Sequence, residues 1–307
     1  MNKISLKYFL FLVLILTSII LFFSTAFILP IIYTYTKNAT KPLIFIILSS
    51  LASGITIALI ISYLSPTVSE GILLIKRYWR LENLNHPLLV RLSTEAPGSY
   101  HHSINVSLLA QKAARNVGAD ANLVRLAGYY HDIGKLFHPE IYIENQSQNV
   151  EELKTLFQIK KVTKIITNHA LRGARIAEKY KLPDEITNII AEHHGSTITQ
   201  FLYNEAKTLG AVKKAGFRYP GPKPQTVESA IIMLADCLEA ATKGAKDLNR
   251  EKISQIVDTI IEERIKEKQF YNLKISDQSW QKIRNSFIAT LTTMYHQRIL
   301  ISKNNEN

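Results

Sequence analysis

The residues best suited to chemistry in this chain of 307 residues form the segment 131–135, His-Asp-Ile-Gly-Lys. His131 continues the helical spacing of Val124 and Ala127, which predicts that it points into the protein. A buried His-Asp pair is costly unless the groups are paired or bind a metal. Imidazole nitrogen and carboxylate oxygen suit zinc, iron or manganese. The dipeptide is common, so Asp132 and His131 alone are weak evidence of a metal site.

Other His and Asp residues also continue apolar helical faces. His102 shares a face with Val106 and Leu109, whereas its neighbour His101 lies on a mostly polar face. In chain order, the candidate ligands are His102, His131, Asp132, His169, His193, His194 and Asp236. Each one taken singly fits an ordinary core or surface residue better. Together they exceed the needs of one four- to six-coordinate ion, and they indicate two metals that share a carboxylate, for which Asp132 is the natural bridge.

The order of these residues resembles the HD superfamily of metal-dependent phosphohydrolases. Longer segments resemble the catalytic domain of the seven-transmembrane HD family, the membrane-anchored bacterial cyclic-di-AMP phosphodiesterases. These segments read NLNHPLLVRLSTEAPGSYHHS, YYHDIGK, IENQ, AEHHGST, RYPGPKPQT and YHQRI. The resemblance covers roughly residues 82–300. It implies that one metal is held by His102, His131, Asp132 and Asp236. It implies that the other is held by His169, His193 and His194, with Asp132 between the two.

The resemblance also implies an activity, the hydrolysis of cyclic-di-AMP to linear pApA with manganese or iron as the pair of divalent cations. Asp132 and Lys135 are the expected catalytic residues, and Lys135 is predicted to contact a phosphate oxygen. Arg218 and Lys223, in a proline-bounded loop, are candidates for substrate binding or for a plain surface role. Glu144 and Asn145 are candidates for outer hydrogen bonds to the ligands of the second metal.

Two alternative functions remain. One is an HD phosphohydrolase that acts on another cyclic dinucleotide, a nucleotide or short RNA. The other is a non-catalytic nucleotide-binding signalling protein, which the presence of all seven candidate ligands and Lys135 disfavours. The loop at 218–226 resembles the cyclic-di-AMP enzymes more than the wider superfamily.

The first 64 residues predict a transmembrane hairpin. Two apolar runs, about 8–32 and 43–64, are each long enough to cross a bilayer as a helix. A cleaved signal peptide is the rival for the first run, but its apolar part is too long and no convincing cleavage site follows. Basic residues on both flanks favour cytoplasmic termini. This predicts an integral membrane protein with a cytoplasmic catalytic domain, in a bacterial plasma membrane or an equivalent organelle membrane.

Residues 65–83 are basic and amphipathic and predict a juxtamembrane helix or linker, whereas residues 84–302 predict an all-α HD domain. With two predicted spans instead of seven, the sensor region of the resembling family would be missing or would belong to another chain. The net charge of +12 suits anionic lipid or a phosphate-rich substrate, and no stable nucleic-acid partner is expected. A homodimer is left open. Cys237, the one cysteine, fits a reducing compartment.

Overall fold

The computed structural model of the chain describes residues 78–146, 155–245 and 247–303, together with four residues at 51, 54, 55 and 59. The chain divides into two units, Met1–Arg80 and Leu81–Asn307. Apart from those four residues, the predicted hairpin lies outside the described part. Within the described residues, no helix has both the length and the apolar character needed to cross a membrane.

The described part of the second unit is built from helices. In the described residues these are α1 Pro87–Glu95, α2 Pro97–Val117, α3 Ala121–Tyr130, α4 Leu156–Lys179, α5 Asp184–Glu192, α6 Gln200–Leu209, α7 Val227–Lys243, α8 Arg250–Lys266 and α9 Asp277–Lys303. Short 3₁₀ segments occupy Ile133–Phe137, Pro139–Ile141, Ile143–Asn145 and Lys214–Phe217. One isolated antiparallel bridge joins Ile198 and Arg218. The prediction of an all-α domain is confirmed.

Local sequence signals explain where several helices begin. The Asp120 side chain accepts hydrogen bonds from two backbone N–H groups in the first turn of α3, and Thr155 forms a capping box with Gln158 at the start of α4. α2 starts instead at Pro97, whose missing N–H costs nothing at a first helical position. The N–H of Ser99 donates to Asn145 Oδ1 at 2.9 Å, so a distant loop helps to cap this helix.

The main core lies around α2, which packs against α3, α7 and α9. Fully buried side chains such as Leu109, Leu234 and Phe287 fill the space between these helices. A smaller apolar cluster joins α4 and α6 through Ile159, Leu202 and other residues. Burying large apolar side chains supplies the main favourable free energy of folding. The two clusters therefore fix the helices whose ends carry the candidate ligands.

One close approach brings the 3₁₀ segment after Asp132 against α4. A Cβ atom at Gly134 would lie 1.9 Å from the carbonyl oxygen of His169 and 2.7 Å from the backbone nitrogen of Gly173. Any side chain at Gly134 would collide with backbone atoms. Glycine is therefore required if this turn is to lie directly on the helix that carries His169.

Candidate metal centre

The structure brings all seven predicted ligands together. His102 lies on α2, His169 on α4 and Asp236 on α7, while the two ligand pairs directly follow α3 and α5. Six of the seven residues are buried, and His194 keeps a side-chain exposure of 18%. Ligands on five different helices, or directly after them, thus converge on one buried site.

A first group of ligand atoms surrounds one carboxylate oxygen of Asp132. Nε2 of His131 lies 3.3 Å from Asp132 Oδ2, and Nε2 of His102 lies 3.8 Å from the same oxygen. His102 Nε2 is also 2.9 Å from Oδ1 of Asp236. Atoms about 2.1 Å from a common cation lie about 3.0–3.4 Å apart, so these spacings are close to those of a coordination shell.

A second group surrounds the other carboxylate oxygen. Nε2 of His169 lies 3.2 Å from Asp132 Oδ1 and 3.2 Å from Nε2 of His193. The His193 nitrogen is 3.9 Å from Oδ1. His194 completes this group, in which one nitrogen from each histidine lies within 4.8 Å of the others. Asp132 thus presents one oxygen to each group, as a bridging carboxylate would.

Buried polar atoms at the centre support a metal. In the described part of the chain, His131 Nε2 and both carboxylate oxygens of Asp132 make no hydrogen bond. Nζ of Lys135 forms an ion pair with Asp132 Oδ2 at 2.8 Å. Buried polar atoms without hydrogen bonds are costly, and divalent cations between the two groups would satisfy them.

Backbone carbonyl groups orient three of the histidines. Nδ1–H donates to the carbonyl oxygen three residues earlier in His131 (2.8 Å), His169 (2.7 Å) and His193 (2.7 Å). This places the Nδ1 proton on the outer side of each ring and leaves the Nε2 lone pair facing the centre. Such hydrogen bonds fix the tautomer and ring orientation of metal-binding histidines.

His102 is oriented by a carboxylate that the sequence reasoning missed. Its Nδ1 lies 2.5 Å from Oε2 of Glu239, whose other oxygen accepts a hydrogen bond from Asn105 Nδ2 at 3.0 Å. Glu239 is buried and lies three residues after Asp236 on α7. That spacing on one helix face is the signal that could have identified it.

Electrostatics hold several groups in the forms that bind cations. Burial raises the pKa of Asp132, but its interactions with His131 and Lys135 outweigh burial and hold the value well below the usual range. Burial and the interaction with His131 lower the pKa of His193 to about 3, so its imidazole is neutral. Burial opposes protonation of His102, but hydrogen bonds to carboxylates raise its pKa to about 10. A cation would have to displace that proton.

Lys135 bridges two carboxylates. Its Nζ lies 2.6 Å from Glu144 Oε1 and 2.8 Å from Asp132 Oδ2. Burial lowers the pKa of Lys135, but these two negative charges outweigh it and raise the value well above the usual range. Glu144 also accepts a hydrogen bond from the Ser99 hydroxyl at 2.9 Å. Its contacts are therefore with Lys135 and Ser99 and not with a histidine.

The metal centre opens into a cavity of about 520 Å³ lined by Lys135, Tyr142, Tyr219 and several of the ligands. The ring of Tyr219 stacks on that of His194, with centroids 4.1 Å apart and 27° between the planes. Sequence reasoning selected the neighbouring Arg218 and overlooked Tyr219. Loop conformation decides which of two adjacent side chains faces a cavity, and residue type alone does not reveal it.

The two loop cations predicted to bind substrate contact backbone carbonyls. Arg218 Nη1 donates to the carbonyl oxygen of Ser196 at 2.8 Å, and Lys223 Nζ donates to that of Lys268 at 2.9 Å. Neither side chain lines the metal cavity. Their role in substrate binding stays a prediction.

Comparisons with known proteins agree with this geometry. The HD domain family model matches residues 99–241, which include all seven candidate ligands. The chain is 42% identical over 230 residues to the cyclic-di-AMP phosphodiesterase PgpH of Listeria monocytogenes, covering 75% of this chain and 32% of the relative. It is 37% identical over 257 residues to the Bacillus subtilis cyclic-di-AMP phosphodiesterase PgpH, covering 83% of this chain and 36% of the relative.

A crystal structure of the L. monocytogenes PgpH HD domain in complex with cyclic-di-AMP is also similar. It has a TM-score of 0.65 and 40% sequence identity, and the match covers 69% of this chain and 98% of that one. The fold and the family model place the chain in the HD superfamily. Within it, the chain belongs to the PgpH family. The chain spans about a third of the length of these curated relatives.

Proposed function

We propose that this protein hydrolyses cyclic-di-AMP to linear pApA with two divalent cations, manganese or iron. The observation that carries the proposal is the position of the Asp132 carboxylate between two groups of ligands, because each of its oxygens faces a separate group of histidine nitrogens. The names of the PgpH relatives, and the cyclic-di-AMP complex of one of them, support the choice of substrate.

The residues of the chain have distinct roles in this proposal. Bound cations would activate a water molecule and neutralise charge on the scissile phosphate. Asp132 would contribute one oxygen to each metal position, and neutral imidazoles such as His193 would supply lone pairs without adding negative charge. Lys135 lines the cavity and offers an N–H to a phosphate oxygen. Its two carboxylate partners keep it charged and in place, which favours stabilisation of a dianionic transition state.

The test uses the purified full-length chain in detergent. Metal content and hydrolysis are measured with cyclic-di-AMP, cyclic-di-GMP, linear pApA and a short RNA. We expect about two transition-metal ions per chain and fastest turnover of cyclic-di-AMP, and we expect Asp132→Ala to lose both metal and activity. A metal-replete chain that is inert on cyclic-di-AMP would exclude this substrate, and a metal-free chain active on it would exclude the metal mechanism.

Adjacent histidines provide a matched control for the ligand assignment. His102→Ala removes a proposed ligand, whereas His101→Ala removes an exposed imidazole one residue away that contacts Tyr100. We expect the first variant to lose metal and turnover and the second to retain both. Equal losses of metal and turnover in the two variants would contradict the assignment of His102 as a metal ligand, but they would not contradict the HD fold.

We further propose that residues 8–32 and 43–64 anchor the chain in a membrane with both termini and the catalytic domain in the cytoplasm. The apolar length of both runs supports this. Cysteine placed in the short connection, as Asn38→Cys, should react with a membrane-impermeant maleimide added outside intact cells. Labelling only after lysis would contradict this topology, and it would indicate either the opposite orientation or the absence of a transmembrane hairpin. The half-buried Cys237 of the same chain, on the cytoplasmic side in this topology, should stay unlabelled in intact cells.

A further inference from the structure

A second cavity, of about 580 Å³, shares the 3₁₀ segment Ile133–Phe137 with the metal centre. Lys135 lines the metal cavity, whereas the next two residues of that segment, Leu136 and Phe137, line the second one. The two cavities are therefore separate spaces that share one short turn. The second cavity has a volume typical of small-ligand sites.

Positive charge is concentrated in this second cavity. Arg172, Arg175 and Lys179 lie on α4 at spacings of three and four residues, so that like charges face one another along one side of the helix. Like charges at these spacings destabilise a helix. Within the described ranges, none of the three has an acidic partner, and no acidic residue lines the cavity. Repulsion among these three cations destabilises the chain alone, and a bound anion would relieve it.

The remaining walls suit a compact anion. Arg91 adds a fourth cation, held in place by hydrogen bonds of 2.8 and 3.0 Å to Glu95. The guanidinium of Arg172 lies 5.4 Å from the ring centre of Phe137, which orients it while its N–H groups remain available. Guanidinium groups match the geometry of phosphate oxygens.

We propose that this cavity is a second binding site, distinct from the metal centre, for a small anion bearing phosphate groups. Arg172, Arg175 and Lys179 would contact its oxygens. A bound anion would touch Phe137, two residues from Lys135, and α4 within one turn of His169. The site does not depend on the substrate of the metal centre, so it can fail while the proposed hydrolase activity stands.

Equilibrium dialysis of the full-length chain against labelled inorganic pyrophosphate tests the site. The double variant Arg175→Ala/Lys179→Ala removes two of its cations. The control Lys160→Ala/Lys164→Ala removes two exposed cations from the same helix, outside the cavity. Any pyrophosphate bound at the metals is common to all three proteins. Because a hydrogen bond to a charged group is worth about a factor of ten or more in affinity, we expect the first variant to bind at least about tenfold more weakly and the control to match the parent.

The charge-preserving variant Arg175→Lys/Lys179→Arg guards against misfolding, and we expect it to bind within about threefold of the parent. Equal binding by the parent and Arg175→Ala/Lys179→Ala would overturn the proposal, as would an equal loss in the control. Repeating the dialysis with phosphatidylglycerol in the micelles identifies the natural source of the phosphate. Loss of pyrophosphate binding there supports a lipid headgroup at the site, and unchanged binding supports a soluble anion.

Discussion

Replacing Glu239 by Gln tests whether an outer carboxylate supports the first metal position. The 2.5 Å contact with His102 Nδ1 is a charge-assisted hydrogen bond, and Glu239 is buried. Glutamine keeps the size and one acceptor oxygen but loses the charge, which roughly halves such a bond. Outer-shell changes of this kind typically cost 10- to 100-fold in metal affinity, which corresponds to about 1.4–2.7 kcal/mol.

The effect should be confined to one of the two ions. His102, which contacts Glu239, belongs to the first group of ligands, whereas His169, His193 and His194 form the second group. Titration with manganese against a chelating dye should therefore show one weakened ion and one near the affinity of the parent chain. Glu178→Gln, at an exposed position of α4, is the control. Affinities for both ions within twofold of the parent would refute the reasoning.

Three further predictions concern packing, metal and pH. Gly134→Ala places a Cβ against the carbonyl of His169 and should lower the free energy of unfolding in urea by about 1–3 kcal/mol. Gly216→Ala, with open space around its Cβ, should leave that free energy nearly unchanged. Equal effects of the two substitutions would contradict the packing argument. Removing metal with a chelator should abolish turnover and lower Tm. Free manganese at about 100 times its Kd should restore about 2.7 kcal/mol of the free energy of unfolding, and a Tm that does not change with manganese would exclude a metal site in the native state. A hydrogen bond from Arg284 lowers the pKa of Asp258 below its usual 3.8, so the stability from this pair is complete above that pH and is lost as pH falls through the lowered pKa. Asp258→Asn should therefore lower Tm at neutral pH and have little effect near pH 2.

Helical periodicity was enough to find the candidate ligands because it shows which face of a helix is buried. His102 and His101 are adjacent and identical in type, yet the apolar spacing selected the buried one. Residues in loops gave no such signal. Arg218 was chosen for its charge, but the backbone path turns Tyr219 into the cavity instead.

Two other features depend on contacts between distant parts of the chain. Pro97 starts α2, and Asn145 supplies the acceptor for the Ser99 N–H from 46 residues away. Glu239 has the sequence appearance of an ordinary helical glutamate until the fold places it beside His102. Local propensity does not encode such partners, because tertiary packing decides them.

The contact between His102 and Asp236 joins residues 134 positions apart. Closing a loop of that length carries a large entropic cost, which only an assembled core can offset. During synthesis on the ribosome, the first metal position cannot be complete until α7 has emerged. Capture of the ion at the first position therefore comes late in the maturation of this protein, and a product that stops before α7 would lack the Asp236 ligand of that position.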